Sequence, residues 1–312
     1  MGYGSLGTDN AGSVRLPASY CGIVGLKPTY GAVSRHGVLP GSWTADHVGP
    51  MTRTVADAAA MLDAIAGYDP RDPTSARTPA PNLLGALPPD ADLRGLTIGI
   101  DDAYLRRHVD GPVQTAVDAA LVHLASLGAG LTPVRLPSQQ DVVDTLLAII
   151  TPEIAAAHLP HLRDRREDYS PPVRERLELG LLTPAVTYLH AQRLRRQIID
   201  EMLAVLTEVD FLITATTPTA ATLLDQDVTT GDEADPELLA ALIYFTCPFN
   251  LTGFPAISIP CGFTERGLPV GLQIAARPFD ESRLLRIAHA YERTTPWHDA
   301  LPPLLATVEP MP

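Results

Sequence analysis

The sequence predicts an α/β domain in which a mixed β-sheet is layered by helices on both faces. Three observations carry this. Short apolar runs such as LTIGI (96–100) and FLITATT (211–217) alternate with stretches of helical apolar spacing. LTIGI, an amphipathic stretch over about 112–127 and LTPVRLP (131–137) have the lengths of a parallel strand–helix–strand crossover. AISIP (256–260) and VGLQIAA (270–276) flank the turn GFTERGLP and read as an antiparallel hairpin.

The elements follow in order. Residues 1–50 are rich in glycine, proline, serine and threonine and read as loops and short strands around a site. TVADAAAMLDAIA (54–66) has a threonine cap, helical spacing and a terminating Gly67. GYDPRDPTSARTPAP (67–81) is a proline-rich surface connection. Gly128 and Gly130 stop the helix over 112–127. Residues 141–209 read as mainly helical, interrupted at Pro152, Pro160, Pro171-Pro172 and Pro184. PELLAALIYFT (236–246) is a helix running into Cys247-Pro248, and SRLLRIAHAYERT (282–294) is a closing helix with an apolar face. The chain reads as one domain, 1–312, made of a motif region (1–66), the connection (67–95) and the remaining sheet and helices (96–312).

Composition narrows the function. A net charge of −13 and a pI near 5.0 argue against nucleic acid as a partner, since phosphate binding needs a basic face. Apolar runs fall short of the roughly 20 residues that span a bilayer, and Met1–Gly12 lacks the basic residues of a signal peptide. Cys21, Cys247 and Cys261 are too few and too scattered for a disulfide framework or a zinc site and fit a reducing cytoplasm. There is no H-E-x-x-H cluster, Rossmann fingerprint or P-loop, so neither metal nor cofactor is expected. Of the 23 basic residues only Lys27 is a lysine. Arginine does not accept a proton near neutral pH, so a lysine base has one candidate within these residues.

The stretch richest in chemistry is residues 7–59. Residues 7–13, GTDNAGS, form a tight turn with two glycines that can aim successive backbone N–H groups at one point, with Ser13 at its end. A hydroxyl beside such donors is the minimal equipment for acyl transfer. The plain alternative is a glycine-rich turn whose serine caps a helix. Histidines 36 and 47 lie near the motif, but no G-x-S-x-G elbow surrounds Ser13 or Ser5, and packing is the simpler role for both rings. Trp43 is a candidate pocket wall, with packing as the alternative.

GTDNAGSVRLPASYCGIVGLKPT (7–29) and its continuation GAVSRHGVLPGSWTADHVGPMTRTVADAA resemble the amidase signature family. FLITATTPTAA (211–221) and TCPFNLTGFPAISIPCGFTERGLPVGLQIAARPFDESRLLRIAHAYE (246–292) match later blocks of the same family in register. The resemblance implies the amidase-signature fold and a serine hydrolase of linear amides of Ser–Ser–Lys type. In it a lysine, acting through a bridging serine, takes the proton of the nucleophile. It implies Ser13 as nucleophile, backbone oxyanion donors at Asn10, Ala11, Gly12 and Ser13 itself, and Asp9 and Arg15 as supports of the loop. The substrate would be a small-molecule amide, with no membrane partner; a homodimer stays open.

Two departures stand out. Ala11 occupies a position where the usual signature has glycine, which costs about 1 kcal/mol if φ is positive there. The family's lysine and bridging serine, in a GGSSGGS-like loop, precede the nucleophile by tens of residues, whereas twelve residues precede Ser13 here. The expectation is therefore a chain missing the N-terminal third of the fold and inactive alone. Lys27 is expected to be structural, and Ser5 a strand residue. CPFNLTGFPA (247–256) favours a stand-alone amidase; the alternatives are the amidase component of a glutamyl-tRNA amidotransferase and a non-catalytic remnant.

Overall fold

The computed structural model describes residues 2–223 and 240–302. Eight strands form one mixed sheet: β1 (Gly4–Asp9), β2 (Val24–Lys27), β3 (His47–Thr52), β4 (Thr97–Ile100), β5 (Gly130–Pro133), β6 (Phe211–Ala215), β7 (Ala256–Phe263) and β8 (Pro269–Ala275). Their order is β1-β3-β2-β7-β8-β6-β4-β5. β5, β4 and β6 are parallel neighbours and all other pairs are antiparallel. The crossover and the hairpin are both present, so the α/β reading and the mixed sheet hold. Nearly every residue of β7 and β8 is buried. Successive side chains of a strand point to opposite faces, so the sheet is covered on both sides.

Nine helices lie among the described residues: α1 (Arg15–Cys21), α2 (Val55–Ile65), α3 (Asp102–Arg106), α4 (Gly111–Ser126), α5 (Gln139–Asp164), α6 (Pro171–Leu181), α7 (Ala185–Glu208), α8 (Cys247–Thr252) and α9 (Glu281–Arg293). α1 lies on β2, β7 and β8, α4 on β6, β7 and β8, and α9 on β7, β8 and α2, while α5 stacks with α6, α7 and α8. In α2 the Thr54 side chain accepts from the Asp57 N–H, as the cap predicted.

Several expectations are corrected. Gly7–Asp9 belong to β1, not to the turn; Ser5 lies in the same strand, as expected, and is exposed. α1 forms where the composition suggests loop and short strand. The strand at 131–137 ends at Pro133. α5 runs through both Pro152 and Pro160. An internal proline costs about 3 kcal/mol, and packing outweighs it: α6 crosses so closely that a Cβ on Gly180 would lie 2.5 Å from the Thr151 carbonyl oxygen. α5 also has the length and apolar composition to cross a membrane, contrary to the expectation that no segment does. Here it packs on three other helices. Cys247-Pro248 starts α8 instead of ending a helix. Of the helix expected over 236–246, residues 236–239 lie outside the described residues.

Candidate active site

β1, the edge strand of the sheet, ends at the buried Asp9, and the chain turns sharply at Asn10–Ser13 into α1. Asp9, the last strand residue, is fully buried and organises that turn. Its carboxylate accepts from the Gly12 N–H (2.8 Å), the Val14 N–H (3.2 Å), and Nε and Nη2 of Arg15 (both 3.0 Å). Asn250 of α8 donates to the carboxylate at 2.8 Å and to the Asp9 carbonyl at 2.9 Å. Burial alone would raise the carboxyl's pKa. The charge and hydrogen bond of Arg15, with Lys27 and Asn250, outweigh it and hold the group well below the usual range.

Arg15, also fully buried, spreads this order to three distant segments. Nη1 donates to the Thr246 carbonyl (2.9 Å) and to Gln273 Oε1 in β8 (2.8 Å), and Nη2 to Asn250 Oδ1 (2.6 Å). The Thr246 hydroxyl donates back to the Ala11 carbonyl at 2.5 Å. Gln273 in turn donates to Thr214 and to the Phe245 carbonyl. The turn is therefore bonded to three segments more than 200 residues away in sequence. Thr246, Asn250 and Gln273 were missed by sequence reasoning. The available signal was a lone polar residue inside an otherwise apolar block, costly to bury unless bonded.

Ser13 is exposed at the end of this turn, and among the described residues its hydroxyl has no hydrogen-bond partner. The N–H groups of Asn10, Ala11 and Ser13 are likewise unbonded among the described residues. Gly12 differs: its N–H is taken by Asp9, which removes it from the expected oxyanion donors. Gly12 has φ +137°, whereas Ala11 is not among the positive-φ residues, so its Cβ brings no left-handed strain.

A second layer holds the turn from outside. Asp46, buried, accepts from the Gly41 and Ser42 N–H groups at 2.8 and 2.9 Å and lies beside the Asn10 amide. Glu153 of α5 accepts from the Ser42 hydroxyl (2.6 Å), the Thr44 N–H (3.0 Å) and the Tyr188 hydroxyl (2.8 Å). Arg195 of α7 joins the Thr44 and Leu251 carbonyls. The helices α5 and α7 thus clamp residues 41–46 against the turn.

The other candidates fall elsewhere. Lys27 is fully buried in β2 and donates to the carbonyls of Phe254 (2.6 Å) and Pro28 (3.1 Å), with no bond to Ser13. Burial, aided by Arg15, lowers its pKa well below the usual lysine value. His47 is buried; its Nδ1 sits 2.7 Å from the Ala45 carbonyl oxygen, and burial drives its pKa well below 6.5, so it is a neutral packed ring. His36 is exposed, and Trp43 lines a cavity of about 220 Å³ with His36, His47, Asp46 and Thr8. Among the described residues no three His, Cys, Asp or Glu side chains gather as a metal set.

Comparison with known proteins agrees with this architecture. A family model described as Amidase matches residues 1–285. The chain is 40% identical to the A component of the glutamyl-tRNA(Gln) amidotransferase of Chloroflexus aggregans, over 96% of this chain and 64% of that protein. It is 41% identical to an amidase of Pseudomonas putida, over 97% of this chain and 65% of that one. The structure of the corresponding amidotransferase component of Thermotoga maritima superposes with a TM-score of 0.80 at 33% identity, over 94% of this chain and 63% of that one. The chain thus spans less than two thirds of the length of these relatives, and identity alone does not separate amidase from amidotransferase component. With its signature turn, its mixed sheet and a family match over most of its length, the chain belongs to the amidase family, the amidase signature proteins.

Proposed function

We propose that this chain carries the nucleophile and oxyanion donors of a serine amidase that hydrolyses a carboxylic amide to acid and ammonia or amine through an acyl-enzyme. The observation that carries the reading is an exposed Ser13 hydroxyl beside three N–H groups that are unbonded among the described residues, on a turn held by a fully buried Asp9–Arg15–Asn250 network. Ser13 attacks the amide carbonyl. The N–H groups of Asn10 and Ala11, with that of Ser13 itself, receive the developing oxyanion; Gly12 contributes conformation. Because the donors are fixed before the charge develops, little reorganisation accompanies attack.

The proton of Ser13 needs an acceptor. Lys27 spends its contacts on two carbonyl groups, so we assign the lysine and bridging serine of the Ser–Ser–Lys scheme to a segment outside these residues. General-base help is worth about 10²–10⁴-fold, so the chain by itself is expected to turn over little. Amidases and amidotransferase components are equally similar in sequence, and the CPFNLTGFPA block is what favours a stand-alone amidase acting on a small molecule in the cytoplasm. Glutamine hydrolysis that exceeds that of simple amides would favour the amidotransferase reading instead.

The test is covalent labelling with a fluorophosphonate, followed by peptide mapping, on a version of the protein that carries the lysine and bridging serine ahead of the turn. The adduct is expected on the peptide containing Ser13 and should vanish in Ser13→Ala. An adduct on another serine, in a preparation that hydrolyses amides, would overturn the assignment.

A further inference from the structure

A second cavity, of about 290 Å³, lies apart from the signature turn, between the end of α2, the connection that follows it and the start of α9. None of residues 9–15 lines it. Ala32, Leu62 and Leu83 face it from the core, and the exposed Pro79 and Phe279 from the solvent side. Hydrogen bonds hold these walls in place. Asp63 of α2 accepts from the Leu83 and Leu84 N–H groups at 2.7 and 2.9 Å, and the Gly67 N–H donates to the Ala32 carbonyl at 3.0 Å. Among the described residues the one charged side chain on the lining is Glu281, the first residue of α9, which is 8% exposed. Its Oε1 accepts from the Thr29 N–H (2.7 Å), and the Thr29 hydroxyl accepts from the Phe279 N–H (2.8 Å), so one threonine fixes both residues. Phe279 is held at φ +62°, a conformation that bulky residues seldom adopt and that recurs at ligand clamps.

We propose that this cavity binds a small primary amine with an apolar body, the ammonium on Glu281 and the body against Leu62, Leu83 and Phe279. Among the described residues no cation pairs with Glu281: Lys27 donates to the Phe254 and Pro28 carbonyls, and Arg283 pairs with Asp210 and Asp280. A mostly buried carboxylate without a counter-ion is costly. An entering ammonium offsets that cost, whereas an anionic ligand would add to it. The hydroxyls of Thr78 and Ser282, also on the lining, can accept further N–H bonds. A single carboxylate supplies too few oxygens for a metal ion, and no metal-ligand cluster lies among the described residues. The volume sets the size of the ligand. Drug-sized molecules fill about 300–1,000 Å³, and benzene fits a cavity of about 150 Å³. The 290 Å³ here suits one ring with a short aminoalkyl arm.

Titration with benzylamine, read by calorimetry and by backbone amide shifts, tests this. Binding should saturate with a Kd on the order of 0.1–1 mM, and the shifts should gather at residues 62–67, 78–83 and 279–282. Benzyl alcohol, a neutral molecule of the same shape, should bind at least about tenfold more weakly. Glu281→Gln, which keeps an acceptor for the Thr29 N–H, should erase that difference. Should that variant fold poorly, Phe279→Gly, which relieves the positive φ, should weaken benzylamine binding at least about threefold without lowering the melting temperature. Equal binding of the two probes to the wild type, no saturation by about 20 mM, or shifts gathered at residues 8–15 instead overturns the proposal. A preference for the amine that survives Glu281→Gln, or an affinity that Phe279→Gly leaves unchanged, does so too. Binding that disappears in a version carrying the segment ahead of the turn also overturns it, and assigns the cavity to that segment.

Discussion

Replacing Asp9 with asparagine changes almost no volume but removes one charge from a fully buried ion pair. The carboxylate accepts from two backbone N–H groups, from two nitrogens of Arg15 and from Asn250. An asparagine offers one acceptor oxygen, and its own N–H₂ must face some of these donors. Arg15 has no other carboxylate among the described residues; its remaining acceptors are the Thr246 carbonyl, Gln273 and Asn250. Breaking such a pair from one side costs about 3–5 kcal/mol, and these neutral acceptors place the expected loss near the lower end. Acid adds a second signature. The folded carboxyl titrates well below the unfolded value of about 3.9, so its contribution is full above that value and is lost as pH falls through the folded one. Urea unfolding of wild type and Asp9→Asn at pH 7 and in steps below pH 4 measures both. A loss under about 1 kcal/mol at pH 7, or equal acid sensitivity of the two proteins, would refute the account of the network.

Three other perturbations follow from the same geometry. Gly12→Ala puts a Cβ at φ +137° against the Thr246 hydroxyl and Leu16, so it should cost at least about 1–3 kcal/mol in urea unfolding; a neutral effect would contradict the turn's conformation. Lys27→Met should flatten the alkaline pH dependence of thermal stability. The buried Lys27 amine has a lowered pKa, so wild-type stability rises with pH from that folded value toward the unfolded value of about 10.4; an equal rise in the variant would refute the lowering of that pKa by burial. Glu153→Gln should cost about 1–3 kcal/mol and speed amide hydrogen exchange at residues 41–46, because Ser42 and Thr44 lose a charged acceptor; exchange that stays unchanged would count against the clamp.

The hairpin, the crossover and α2 were legible because local signals agree: strand periodicity bounded by glycine turns, and a threonine cap on a helical apolar pattern. α1 was not, since RLPASYC is only seven residues with a proline and no apolar period. α5 looks broken in sequence because a proline's local cost is visible there and the packing of three helices against it is not. The buried Asp9–Arg15 pair that holds the turn was legible through the family's signature. Asn250 and Gln273 were not singled out: their partners lie 241 and 258 residues away. The direction of one N–H group, that of Gly12 toward the Asp9 carboxylate, follows from backbone geometry alone.

The most direct test of the central claim is amide turnover, followed as ammonia or amine release, by this chain and by a version that carries the lysine–serine segment ahead of the turn. The extended protein should hydrolyse an amide. Ser13→Ala should abolish that activity, and Lys27→Ala should leave most of it. Turnover that survives Ser13→Ala would contradict the assignment of the nucleophile, and turnover by the chain alone that is lost with Lys27→Ala would move the base to the buried lysine.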